Sequence, residues 1–72
     1  MTKEEIIYAI ENRIRVRGNI AGVLVSGCIK EIGYLQIKAG PGYIQRAVAT
    51  IVNDDNLEVY CHIKDIEKVN FV

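Results

Sequence analysis

The chain has 72 residues, half of them hydrophobic, with nine Lys and Arg balancing nine Asp and Glu. A chain this short makes one small domain with a thin core, expected here over residues 1–72. Formal neutrality removes long-range attraction to nucleic acid, so any such contact must come from charge gathered on one face.

No apolar run approaches the ~20 residues of a membrane span, so no membrane association is expected. Cys28 and Cys61 show no metal-ligand spacing and are too few for a disulfide scaffold. With no signal-peptide pattern at the N-terminus, they are expected to be reduced, mostly buried thiols in a cytoplasmic protein.

Thr2-Lys-Glu-Glu5 fits a capping box, and Glu4 and Glu5 suit the positive end of a helix. Ile6, Ile7, Ile10 and Ile14 recur at helical spacing and form one apolar stripe. The spacing predicts a helix over 3–12, with a change to strand near Arg13. Arg13, Arg15 and Arg17 are the one local cluster of like charge. They read either as a solvated strand face or as an anion or phosphate contact, since guanidinium forks suit phosphate oxygens.

Gly18 and Gly22 mark bends, and residues 20–32 form a long β-favouring run that Gly27 allows to bend. Gly33 is expected to turn the chain. Tyr34–Ala39 then alternates as a strand with Leu35, Ile37 and Ala39 facing inward. Ala39-Gly-Pro-Gly42 is a turn, residues 43–52 are a strand, and Asn53-Asp-Asp-Asn56 is a polar hairpin turn. That acidic turn lacks the spaced oxygen ligands of a calcium loop. Leu57, Val59, Cys61 and Ile63 alternate with Glu58, Tyr60, His62 and Lys64, giving a strand with one apolar face. A single turn at Lys64-Asp65-Ile66 and a last strand to Val72 complete the chain. The expected architecture is mainly β with an N-terminal α-helix: a small, strongly bent, antiparallel five-stranded barrel.

His62 is the one histidine, and no residue stands with it at a catalytic spacing. Its neighbour Cys61 points to the opposite face of a strand, so the two cannot act as nucleophile and base. Cys28 could meet His62 only through the fold. No enzymatic activity, cofactor or metal is expected. Tyr60 and His62 share one strand face, flanked by Glu58 and Lys64, and Tyr34, Gln36 and Lys38 make a similar row. Aromatic rings among hydrogen-bonding and basic groups can stack on and pair with a base. The plainer reading of both rows is an ordinary amphipathic strand surface.

A helix, a bent glycine-containing strand, an alternating strand and a strand–turn–strand ending resemble the Sm-like fold, a small SH3-like barrel that includes the Hfq-type proteins. Residues 26–38, Ser-Gly-Cys-Ile-Lys-Glu-Ile-Gly-Tyr-Leu-Gln-Ile-Lys, are similar to the first Sm motif. Val59-Tyr-Cys-His62 is similar to the Hfq run that carries Tyr, Lys and His at the RNA-binding face, with Cys61 in place of the lysine. The resemblance implies a homo-oligomer built by pairing the last two strands between subunits. It implies a ligand face of Tyr60 and His62, with Arg13, Arg15 or Arg17 supplying charge and Tyr34 and Lys38 nearby. The expected function is a non-enzymatic oligomeric binding module for RNA or a nucleotide. The alternative is a protein-interaction or inhibitor module, such as an accessory protein of a phage or mobile element.

Overall fold

The computed structural model describes residues 1–69. Helix α1 (Lys3–Glu11) leads into β1 (Arg15–Ile20), β2 (Val23–Ala39), β3 (Gly42–Asn53), β4 (Glu58–His62), a 3-10 turn over Ile63–Asp65, and β5 (Ile66–Lys68). All strand pairs are antiparallel, in the order β4-β3-β2-β1-β5. The turn expected at Lys64–Ile66 lies one residue earlier, so the last strand begins at Ile66, and residues 70–72 of the strand expected to reach Val72 lie outside the described residues.

The capping box forms as expected. The Thr2 N–H donates to Glu5 Oε1 at 2.9 Å, and the Glu5 N–H donates to Thr2 Oγ1 at 3.2 Å. The helix ends at Glu11, one residue before the expected position, with Asn12 as its cap, and Arg13 reverses the chain at φ 51. Ile6 and Ala9 carry the buried face, Ile10 and Ile14 pack at its margin, and Ile7 points to solvent. Ala9 therefore takes the core position that the isoleucine stripe had given to Ile7. The backbone nitrogen of Met1 donates to the carbonyls of Ile63 and Ile66, at 2.8 and 2.7 Å, joining the start of the helix to the turn before β5.

Three tight reversals organise the sheet. Ala21 and Gly22 have φ of 51 and 85 and connect Ile20 to its partner Val23, so the run expected over 20–32 is split at its start by a two-residue hairpin. Gly40, at φ 60, and Pro41 close the β2–β3 hairpin between the paired Ala39 and Gly42. In the third reversal Asn53 Oδ1 accepts from the N–H groups of Asp55 and Leu57, and Asn56 takes φ 63. Leu57 lies in this turn and is exposed, so β4 has one inward residue fewer than its alternation implied.

Two glycines let the strands close around the core. A Cβ on Gly27 would overlap the Val52 carbonyl oxygen of β3, and one on Gly18 would come within 2.9 Å of Cys61 Sγ. The sheet coils until β1 faces β4 across Ile51 and Cys61, with Ile6, Val16, Ile29, Ala49 and Ile66 filling the space between. Among the described residues no ladder joins β4 to β5, so this is an open coiled sheet and not the closed barrel expected. The 3-10 turn carries the chain from β4 on one edge to β5 on the other. Among the described residues, two consecutive strands therefore form the free edges of the sheet.

Gly33 is not a turn. It sits inside the 17-residue β2, paired with Val48, and the irregularity falls instead between Ile29 and Glu31, where Lys30 is the extra residue. The bulge puts Lys30 and Glu31 both outward and resumes the alternation, with Ile32 opposite Ala49. β1 pairs only with residues 23–28 of β2, and β4 only with residues 48–52 of β3. Beyond Gly33 and Val48 the hairpin runs on as a two-stranded arm, and the trace reaches 46 Å in its longest direction against 24 and 21 Å in the others. Leu35 and Ile37, expected inward, lie on this arm and are 50% and 39% exposed, with the core ending at Ile32 and Ala49.

The two glycines of β2 should respond oppositely to a methyl group. Gly27→Ala forces the β2 backbone off β3 and should destabilise the protein by about 3 kcal/mol or more. Gly33→Ala meets open space and should be neutral or stabilise by up to about 1 kcal/mol. Urea denaturation of both variants measures the contrast.

Candidate functional site

The three arginines do not form a free cationic cluster. Arg15 on β1 holds Asp54 of the β3–β4 turn with two parallel bonds, of 2.9 and 2.7 Å. Arg17 Nε and Nη2 both donate to Glu67 Oε1 on β5, at 3.1 and 2.6 Å. Arg13 stands apart in the helix–strand loop. Across the bulge, Lys30 pairs with Glu58 at 2.9 Å. These exposed pairs add little stability each, but they neutralise the charge on which an anion site would draw. The forked Arg15 contact holds the Asp54 carboxyl below its ordinary range and raises the guanidinium above its own. The bond to Glu58 likewise raises the Lys30 ammonium.

Tyr60 and His62 do share a face. They sit on the outer side of β4 in register with Thr50 and Val48, while Cys61 between them points into the core against Ala49. Tyr60 is 70% exposed. His62 is half-buried, with a buried Nδ1 that has no hydrogen-bond partner among the described residues. That leaves Nε2 as the nitrogen a ligand can reach.

Tyr34 and Lys38 belong to the opposite face. The ladder pairs Tyr34 with Ala47 and Lys38 with Tyr43, on the side that continues the core surface of Ile32 and Ala49. Lys3 of the helix donates to the Tyr34 hydroxyl at 2.6 Å and lies 5.3 Å from its ring centroid. This bond raises the Lys3 ammonium above its usual value. The two expected base-stacking rows are thus on opposite sides of one sheet.

The outer face holds a feature that the strand pattern did not disclose: a groove of about 450 Å³ between β4 and the root of the arm. Tyr60 and Thr50 flank it on one side and Glu31 and Leu35 on the other, with Gly33 and Val48 between. Gly33 leaves room here because it has no side chain, and a Cβ there would touch nothing within 4 Å. The sequence carries one signal at this glycine. The apolar phase changes across Gly33, from Ile32 at an even position to Leu35 and Ile37 at odd ones, which is the pattern of a strand that leaves its core face as it runs on.

Both cysteines are free, but only Cys61 is buried. Burial pushes its thiol above the ordinary range, with Asp65 adding to the effect, and the side chain packs in the core against Ala49 and Ile51. Cys28, expected to be mostly buried, is exposed on the outer side of β2. Its ladder partner on β3 is Val52, whereas His62 pairs with Val48, four positions further along, so the fold does not bring Cys28 and His62 together. Among the described residues no three His, Cys, Asp or Glu side chains gather as a metal site, and no helix is long and apolar enough to cross a membrane. Comparison with protein-family models, with curated proteins and with solved structures gives no match. The fold and its surface define a small, mainly β protein whose features are a groove, an arm and two free sheet edges.

The acid behaviour follows from the two depressed carboxyls, Asp54 beside Arg15 and Glu5 bonded to the Thr2 N–H. A carboxyl depressed in the folded state contributes stability that is complete above the unfolded value near 4 and is lost as pH falls through the folded value. Asp54→Asn should therefore melt below the parent near neutral pH and converge on it at low pH. Thermal melts from about pH 6 to about pH 2 measure this convergence.

Proposed function

We propose that this protein is a non-enzymatic, oligomeric binding module that takes an RNA base or a nucleotide on the outer face of β4. The observation that carries this reading is the exposed Tyr60 ring beside His62, next to an open groove on a rigid sheet. The ring offers a stacking platform, and His62 Nε2 offers a hydrogen bond to a base edge. The Sm-like resemblance supports the same face. Two unpaired edges, β4 and β5, separated by one 3-10 turn, suit the subunit pairing that this resemblance implies. With Arg15 and Arg17 committed to carboxylates, affinity rests on stacking and hydrogen bonding more than on phosphate contacts. Two free cysteines support a reducing, cytoplasmic setting.

A second reading, a protein-interaction or inhibitor module, is favoured by the groove itself. Leu35, Val48 and the Tyr60 ring suit an apolar side chain as well as a base.

Tyr60→Ala should weaken binding of single-stranded RNA by about 1–3 kcal/mol per stacked base. Its melting temperature should stay close to the parent's, because the ring is mostly exposed. Replacing Arg15 and Arg17 should change affinity little, and the salt dependence should be shallow throughout. Fluorescence anisotropy with RNA oligonucleotides, beside melts of the same variants, tests both statements. Unchanged binding by a folded Tyr60→Ala, His62→Ala variant would remove this face as the site and favour the protein-binding reading.

A further inference from the structure

The groove carries polar groups that stacking on Tyr60 does not use. Glu31, Thr50 and Tyr60 are register partners, so they form one row across β2, β3 and β4. Partners in antiparallel strands share a face, here the outer one. Thr50 points away from the core residues Ala49 and Ile51, yet it is only 4% exposed. Tyr60 on one side and Glu31 on the other wall it in, and it forms the groove floor. Adjacent strands lie about 5 Å apart, so the walls rise from backbones about 10 Å apart. One planar ring system fits between them.

The polar groups of this row are uncommitted. Among the described residues neither the Glu31 carboxylate nor the Thr50 hydroxyl has a hydrogen-bond or ion-pair partner. Asp54, Glu58 and Glu67 each hold a cation instead. A carboxylate accepts through both oxygens, so it matches a ligand edge with two adjacent N–H donors. Among the RNA bases only guanine has such an edge, in N1–H and the N2 amino group. Adenine and cytosine set an acceptor beside a donor there, and uracil sets its donor between two acceptors. Each would bring an acceptor against the carboxylate, at the cost of an unmade bond. Guanine O6, next to N1, accepts in turn and suits the Thr50 hydroxyl.

The same face holds one uncommitted cation. Arg46 is exposed, pairs in register with Leu35, and has no ion-pair partner among the described residues. It lies four residues along β3 from Thr50, or about 13 Å. The ribose of a bound nucleotide and the long arginine side chain together span that distance. A guanidinium of a peptide would also match the Glu31 carboxylate, but Arg46 repels a cationic chain and attracts a phosphate.

We propose that the groove is a guanine site, in which Glu31 accepts from N1–H and N2–H of a guanine stacked on Tyr60, and Arg46 meets the phosphate of the same nucleotide. The inference rests on the RNA-or-nucleotide reading of this face and names the base that it takes.

Calorimetric titration with GMP, AMP, CMP, UMP, guanosine and free arginine tests it, with circular dichroism as a check on folding. The parent should bind GMP at least tenfold more tightly than the other monophosphates. Glu31→Gln keeps the size of the side chain but turns one acceptor into a donor. It should lose at least tenfold for GMP and bind AMP at least as well, since an amide matches the donor and acceptor of adenine. Arg46→Gln should bring GMP down to the affinity of guanosine and leave the order of the bases unchanged. Equal binding of all four monophosphates, or a preference for another base, would overturn the guanine assignment while the RNA-or-nucleotide reading stands. A Glu31→Gln variant that binds GMP like the parent would do the same, and unchanged GMP binding by Arg46→Gln would remove the phosphate contact. Arginine displacing GMP at equal concentration would give the groove to a peptide instead. No binding of any monophosphate or RNA oligonucleotide would sink both the inference and the reading beneath it.

Discussion

The contact on which the rest of the molecule depends is the passage of β2 over β3 at Gly27. There the β3 backbone occupies the space that any side chain would need. The approach brings β3 close enough to set Ile29 against Ile51, and one residue on the Lys30 bulge re-phases the strand. The same seventeen residues can then serve two ends. The first part curls with β1 around Ile6 and Val16, and the second runs straight out as the arm. A regular strand without bulge or glycine would flatten the coil and separate β1 from β4.

Local chemistry was legible in the sequence wherever one short stretch decides the outcome. The Thr2–Glu5 capping box, the Gly-Pro-Gly reversal, the Asn53–Asn56 turn and the alternation of β4 all form as their residues dictate. What could not be read depends on partners distant in the chain. Alternation from Tyr34 to Ala39 defines two faces, but only the lengths of β1 and β4 decide that neither is covered. Gly33 and Gly27 look alike as letters. One faces open space and the other a carbonyl, and that difference comes from β3. The arginine triplet likewise looked free because Asp54 and Glu67 lie 39 and 50 positions away.

Pairing of those charges shapes what the surface can recognise. Arg15, Arg17 and Lys30 each face a carboxylate from another strand or turn, and the pairs tie β1 to β5, β1 to the β3–β4 turn, and β2 to β4. Their stabilising effect is small because water screens them. Their larger effect is subtractive: they leave the outer face without a concentrated field. Recognition there must rely on shape, stacking and the few polar atoms of Tyr60, His62 and Thr50. A ligand on such a surface would be selected by fit, and its binding would depend only weakly on salt.

Tyr60 belongs to both readings of that surface. Its ring can stack on a base, and the same ring with Leu35 and Val48 can seat an apolar side chain of a protein partner. A base stacked on the ring and a side chain seated against it would claim the same surface, so each occupant would oppose the other. By linkage that opposition would be reciprocal, each weakening the other by the same free energy. The coupling needs no conformational change in the sheet. It follows from a single glycine in β2, which leaves one recess beside one exposed ring.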